Sequence, residues 1–130
     1  MIYKKSTVAW RTISGKNYYF RSMWEYNYAL WLEFQMKGGL IQSWKHEPIT
    51  FWFEAIKRGV RSYLPDFRVT DTHGVVSYHE VKGYYDAKSI TKIKRFRKYY
   101  PEETLFLIDK NWFASNSNKL KMIIKEWESG

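Results

Sequence analysis

Residues 21–39 place apolar and aromatic side chains at helical spacing, with Ser22 available as an N-cap and Gly38-Gly39 as a stop, and predict a first helix. Residues 40–56 change to β-branched and aromatic types around Pro48, which predicts one bent strand or two short ones before a Lys57-Arg58-Gly59 turn. Two further strands, 61–70 and 75–82, flank Asp71-Thr72-His73-Gly74, a run that favours a hairpin loop, so they should pair antiparallel. Asp86 or Ser89 opens a second helix, with Ile90, Ile93, Phe96 and Tyr100 as its apolar stripe and Pro101 as its end. Residues 104–108 read as a short buried strand. After the polar run 115–118, Leu120, Ile123, Ile124 and Trp127 recur at helical spacing and predict a final amphipathic helix. The order α-β-β-β-α-β-α predicts a mixed α/β, or α+β, fold with a central mixed sheet flanked by helices. One domain over residues 1–130 is the expectation from length.

Composition changes the picture in three ways. A hydrophobic fraction of 45% argues against disorder, and no window approaches the roughly 18 consecutive apolar residues of a membrane helix, so no membrane partner is expected. The start, "MIYKKSTVAWRT", has lysines without a following apolar run, so no export signal and a cytoplasmic location are expected. With no cysteine, disulfides, thiolate zinc sites and cysteine nucleophiles are excluded, and any metal must sit on oxygen or imidazole.

Charge narrows the partner. Lys and Arg outnumber Asp and Glu by 22 to 13, a formal net of +9, which suits a polyanion and nucleic acid first. Lys88, Lys92, Lys94, Arg95, Arg97 and Lys98 crowd the second helix, where Lys88, Lys92 and Arg95 share a face suited to phosphates. Trp10, Tyr18, Tyr19, Tyr84 and Tyr85 lack core periodicity and are candidates for stacking on bases. Without a P-loop, nucleophile elbow or Rossmann fingerprint, no nucleotide cofactor is expected.

Against this basic background a few acids stand out. On a strand Glu80 and Lys82 project to one side while Val81 turns to the core, and antiparallel pairing brings Asp66, near the start of the preceding strand, close to Glu80. Two carboxylates beside one lysine repel unless a proton or a cation intervenes, and a hard divalent ion is the simplest resolution. Glu25 shares a helical face with Ala29, Leu32 and Met36 and would add a third carboxylate. It also completes Ser22-x-x-Glu25, a capping box, and both readings stand. His46, His73 and His79 lack zinc-ligand spacing and read as structural.

Pro65-Asp66 followed by Glu80-Val81-Lys82, with Glu25 on an upstream helix, resembles the signature of the PD-(D/E)xK nuclease superfamily. "FRSMWEYNYALWL", "HEP", "YLPDF", "HEVKGYYD" and "KYYPE" resemble, in order and spacing over about residues 20–109, the phage endonuclease I-type Holliday junction resolvases. The resemblance implies a restriction-endonuclease-like core and a Mg²⁺-dependent DNA endonuclease, with Mn²⁺ able to substitute. It implies hydrolysis of phosphodiester bonds in branched DNA or four-way junctions during phage-type replication or recombination, leaving 5′-phosphate and 3′-hydroxyl ends. Asp66 and Glu80 would ligate the metal with the Val81 carbonyl, Glu25 would join directly or through water, and Lys82 would sit beside the attacking water. As a plain strand residue Lys82 would simply pair with Glu80. The resemblance further implies a homodimer, with strands exchanged from residues 43–61, in a host cell cytoplasm. Two alternatives stay open: a nicking, transposon-end or mismatch-type endonuclease of the same fold, and a catalytically silent DNA-binding module.

Overall fold

The computed structural model describes residues 9–129. β1 (Ala9–Ile13) and β2 (Lys16–Phe20) form a hairpin in which Ile13 faces Lys16 across a two-residue turn. Ser14 and Gly15 both take positive φ there, 49° and 81°, the backbone of a tight hairpin turn that glycine adopts freely. α1 (Met23–Lys37) follows, capped by Ser22, whose Oγ accepts the Glu25 N–H at 3.1 Å, and closed at Gly38. Every residue from Met23 to Leu30 is buried, so the first half of α1 has no solvent face and forms part of the core.

β3 (Ser43–His46), β4 (Phe51–Trp52), β5 (Ser62–Tyr63), β6 (Phe67–Thr70) and β7 (Val76–Val81) come next. α2 (Ala87–Tyr99), β8 (Leu105–Ile108) and α3 (Lys110–Ile123) complete the order. The central sheet runs β3-β6-β7-β8, with β3, β6 and β7 antiparallel and β8 parallel to β7, joined to it through α2 as a parallel pair requires. β4 and β5 pair separately. The molecule is thus a mixed α+β fold with three helices on a mixed sheet.

Pleating sorts the side chains into two cores. Phe67, Val69 and Val81 pack with Trp24, Tyr28 and Leu32 of α1 and with Phe113 and Leu120 of α3. Tyr78 and Leu105 face the other way and pack with Ile93 and Phe96 of α2 and with Phe51 and Tyr63. Among the described residues no helix is long and apolar enough to cross a membrane.

The elements depart from the sequence reading in several places. The β1–β2 hairpin precedes the first helix, so the order begins with two strands that the pattern did not reveal. The region around Pro48 holds two short strands, β3 and β4, the second of the two forms expected there. The expected strand 61–70 is split at Leu64-Pro65-Asp66 into β5 and β6. The antiparallel β6–β7 hairpin is as expected. Residues 115–118 lie inside α3, which starts at an Asp109 cap instead of after the polar run. Ser115 and Asn118 of that run are exposed and Asn116 and Ser117 half-buried, while Phe113 and Leu120 supply the buried side. Trp127 lies beyond the helix and is buried near Phe113. In α2, Ile93 and Phe96 are buried but Ile90 stays half exposed, at 52%.

Candidate functional site

The break at Leu64-Pro65-Asp66 builds the site. Pro65 is buried and has no N–H for a ladder, and one step past the Phe67↔His79 pair the Asp66 side chain takes over the role of a strand acceptor. Its Oδ2 accepts the Val81 N–H at 2.8 Å, and its own N–H points at Glu80 Oε1 at 3.3 Å. Asp66 and Glu80, expected to converge from the hairpin, are thereby locked together by main chain as well as side chain. Val81 joins through its N–H, while its side chain is buried in the core as the pleat requires.

Glu80 is buried and lies on the α2 side of the sheet. Tyr63 donates its hydroxyl to Glu80 Oε1 at 2.6 Å, and Lys82 Nζ stands 3.5 Å from Oε2. Burial pushes the Asp66 carboxyl well above the usual aspartate range, the charges of Glu80 and Glu25 add to the rise, and the Val81 N–H and Lys82 oppose it. Burial likewise pushes Glu80 up against the opposing pull of the Tyr63 hydroxyl and Lys82. The Tyr63 phenol is itself raised, by burial first and then by the Glu80 charge. One ammonium, Lys82, pairs with Glu80 and acts on Asp66 through its charge, while burial favours the protonated form of both acids.

Glu25 belongs to the electrostatic neighbourhood but not to a preformed ligand set. Its Oε1 lies 2.6 Å from His46 Nε2, and its Oε2 accepts the Arg21 N–H at 3.4 Å. The Ser22 half of the capping box forms, while the glutamate's return bond goes to Arg21. Among the described residues no three His, Asp or Glu side chains stand close enough together to hold a metal ion. Of the three expected carboxylates, Asp66 and Glu80 are joined through main-chain bonds, while Glu25 Oε1 bonds His46 of β3. The pair fits a hard divalent cation by its chemistry. All its donors are oxygens, Asp66 Oδ1 takes no hydrogen bond among the described residues, and Glu80 Oε2 faces only Lys82.

Sequence reading missed His46 and Tyr63. Tyr63 sits three residues before Asp66 within "YLPDF", and His46 opens "HEP", but nothing in their spacing announced these contacts. His79 takes the structural part expected of it. It turns to the opposite side from Glu80 and bonds the Tyr28 hydroxyl at 2.6 Å and Ser77 Oγ at 3.0 Å, and burial lowers its imidazole to about 4.

The basic helix is only partly as expected. Lys88 is exposed and Lys92 half-buried. Arg95 instead spends its guanidinium on the Val60 carbonyl, so it ties the 53–61 loop to α2 and is not a free phosphate-facing cation. Trp10 and Tyr19 meet edge to face on the exposed side of the β1–β2 hairpin, and Tyr84 and Tyr85 are exposed beside the site. Tyr18, by contrast, stacks on Trp44 and packs against the core. A cavity of about 420 Å³ lies between the Ser14 turn and the ends of α1 and α3, and neither Asp66, Glu80, Lys82 nor Glu25 lines it. Compared with protein-family models and with curated proteins, the chain matches none.

Proposed function

We propose that this chain is a metal-dependent DNA endonuclease with a restriction-endonuclease-like core, cutting branched DNA such as four-way junctions. The observation that carries the reading is Asp66 bonded through its N–H to Glu80 Oε1, with Lys82 Nζ 3.5 Å from the Glu80 carboxylate and both acids pushed toward the protonated form. Such under-compensated carboxylates are what a cation-dependent phosphoryl site requires. Asp66 and Glu80 would hold Mg²⁺, or Mn²⁺, with the Val81 main chain alongside. The bound ion supplies Lewis-acid polarisation of the scissile phosphate and a more acidic water.

The chain's own residues have the remaining tasks. Lys82 orients the attacking water and offsets charge building on the phosphoryl oxygens. Water adds to phosphorus, the bond to the 3′ oxygen breaks, and 5′-phosphate and 3′-hydroxyl ends result. Glu25, bound to His46, acts through its charge on Asp66. Lys88 and Lys92 hold flanking phosphates, which position the strand without reading its sequence. A homodimer would supply the paired cuts that resolution of a junction needs.

The Glu25–His46 pairing and the absence of a three-acid cluster among the described residues favour a second reading, a DNA-binding module that does not cut. Labelled four-way junction, linear duplex and single strand, each with Mg²⁺ or EDTA, separate the readings. Preferential, Mg²⁺-dependent cutting of the junction is the expected result. Duplex cutting alone would move the assignment to a nicking or transposon-end type of enzyme, and binding without cutting in any metal would favour the silent module.

A further inference from the structure

A groove of about 340 Å³ opens beside the acid pair, lined by Tyr85, Ile90, Ile93, Lys94, Arg97 and Leu107. Its place follows from the sheet. Leu107 is the register partner of Glu80 on the parallel strand β8, so the two side chains leave neighbouring strands on the same face. Tyr85 follows Lys82 by three residues as the chain leaves β7 for α2. Burial raises its phenol, and the nearby charges of Asp109 and Glu80 add to the rise. The floor is aliphatic, from Ile90, Ile93 and Leu107, and Ile90 presents half its surface outward. The rim carries Lys94 and Arg97, the latter anchored by a hydrogen bond from Nη2 to the Leu105 carbonyl at 3.3 Å.

We infer that this groove is a nucleobase subsite, in which one base next to the scissile phosphate leaves its stack to lie against Tyr85 and Ile90 while its phosphates meet Lys94 and Arg97. The inference rests on the nuclease reading of the adjoining acids and adds to it which cations and which apolar surface engage the strand. Three features favour a base over other occupants. An apolar floor with an aromatic edge matches a flat π-surface. Cations on one rim match the phosphate that every base carries with it. Continuity with Glu80, the register partner of Leu107 in the floor, sets the groove next to the acids. The arrangement also explains why the phosphate set read from the helix face was incomplete: Arg95 is turned onto Val60, and Lys94 and Arg97 take the groove side of α2.

The test is photocrosslinking of the full-length chain, in EDTA, to four-way junctions carrying 5-iodo-2′-deoxyuridine at each position around the branch in turn. The expected result is one dominant crosslink mapped to Tyr85. An Ile90→Glu variant, altered at an exposed position, should lose about tenfold in crosslink yield, while junction affinity by fluorescence anisotropy falls less than about threefold. Tight binding with crosslinks only to residues outside the groove would overturn the subsite and leave the nuclease reading standing. No binding of any DNA would overturn both.

Discussion

Two buried acidic centres in this molecule have opposite settings. Glu33, near the end of α1, accepts the Ser14 hydroxyl and the Trp44 Nε1–H at 2.9 Å, and Lys37 stands 3.8 Å away. Every donor there comes from a different element, so the carboxylate ties the first hairpin, α1 and β3 together. Asp66 and Glu80 instead adjoin each other, the Asp66 N–H on Glu80 Oε1 and Lys82 Nζ 3.5 Å from Glu80 Oε2, with burial driving both acids toward the protonated form. A satisfied buried charge is a structural joint, whereas an under-compensated pair must either hold a proton or take up a cation.

The largest separation between the two centres is expected in catalysis. Asp66→Ala or Glu80→Ala should reduce junction cleavage by about 10³-fold or more while junction affinity changes little, because the proposed metal ligands would be lost and the basic surface would not. Glu33→Ala should leave cleavage per folded molecule unchanged. Its effect belongs to urea denaturation, where stranding the Trp44 N–H should reduce stability by about 2–3 kcal/mol. Equal loss of activity in both variants would erase the contrast.

A subtler prediction concerns pH. The Asp66 carboxyl holds its proton more tightly folded than unfolded, so its ionisation penalises the fold as pH rises from the unfolded carboxylate range through the raised native one. Asp66→Asn keeps an acceptor for the Val81 N–H and removes the ionisation. Without metal it should therefore be more stable than the wild type at neutral pH, by on the order of 1 kcal/mol, with the difference vanishing in acid. Thermal melts across pH check this, and a destabilised Asp66→Asn would place Asp66 with Glu33 as a structural acid. The smallest effect is expected at the helix: Lys92→Ala should flatten the salt dependence of junction binding by about 0.9 per decade, one phosphate contact.

The acid pair was legible in the sequence because local rules determine it. Strand pleat sets which way Glu80 and Lys82 point, and the Asp71–Gly74 hairpin sets their register against Asp66. The Glu25–His46 contact was not legible, since it depends on how α1 lies across β3, two elements whose packing no local sequence rule determines. The same holds for Arg95, whose helix face gave no notice that Val60 would pack there. The β1–β2 hairpin escaped because it buries only Ile13 and Phe20 fully, so its alternation is faint, and Ser14-Gly15 is a weaker turn signal than Asn-Gly. Residues 115–118 read as a loop because serine and asparagine compete with helical hydrogen bonding. The Asp109 cap and the burial of Phe113 and Leu120 override that preference.

Titration calorimetry with Mg²⁺ and Mn²⁺ tests the central claim most directly, using wild type and Asp66→Asn with and without junction DNA. Wild type should take up the ion, most strongly with junction present, and Asp66→Asn should take up none. Equal uptake by the two proteins, or none by wild type even on the junction, would contradict an acid pair built to hold a cation.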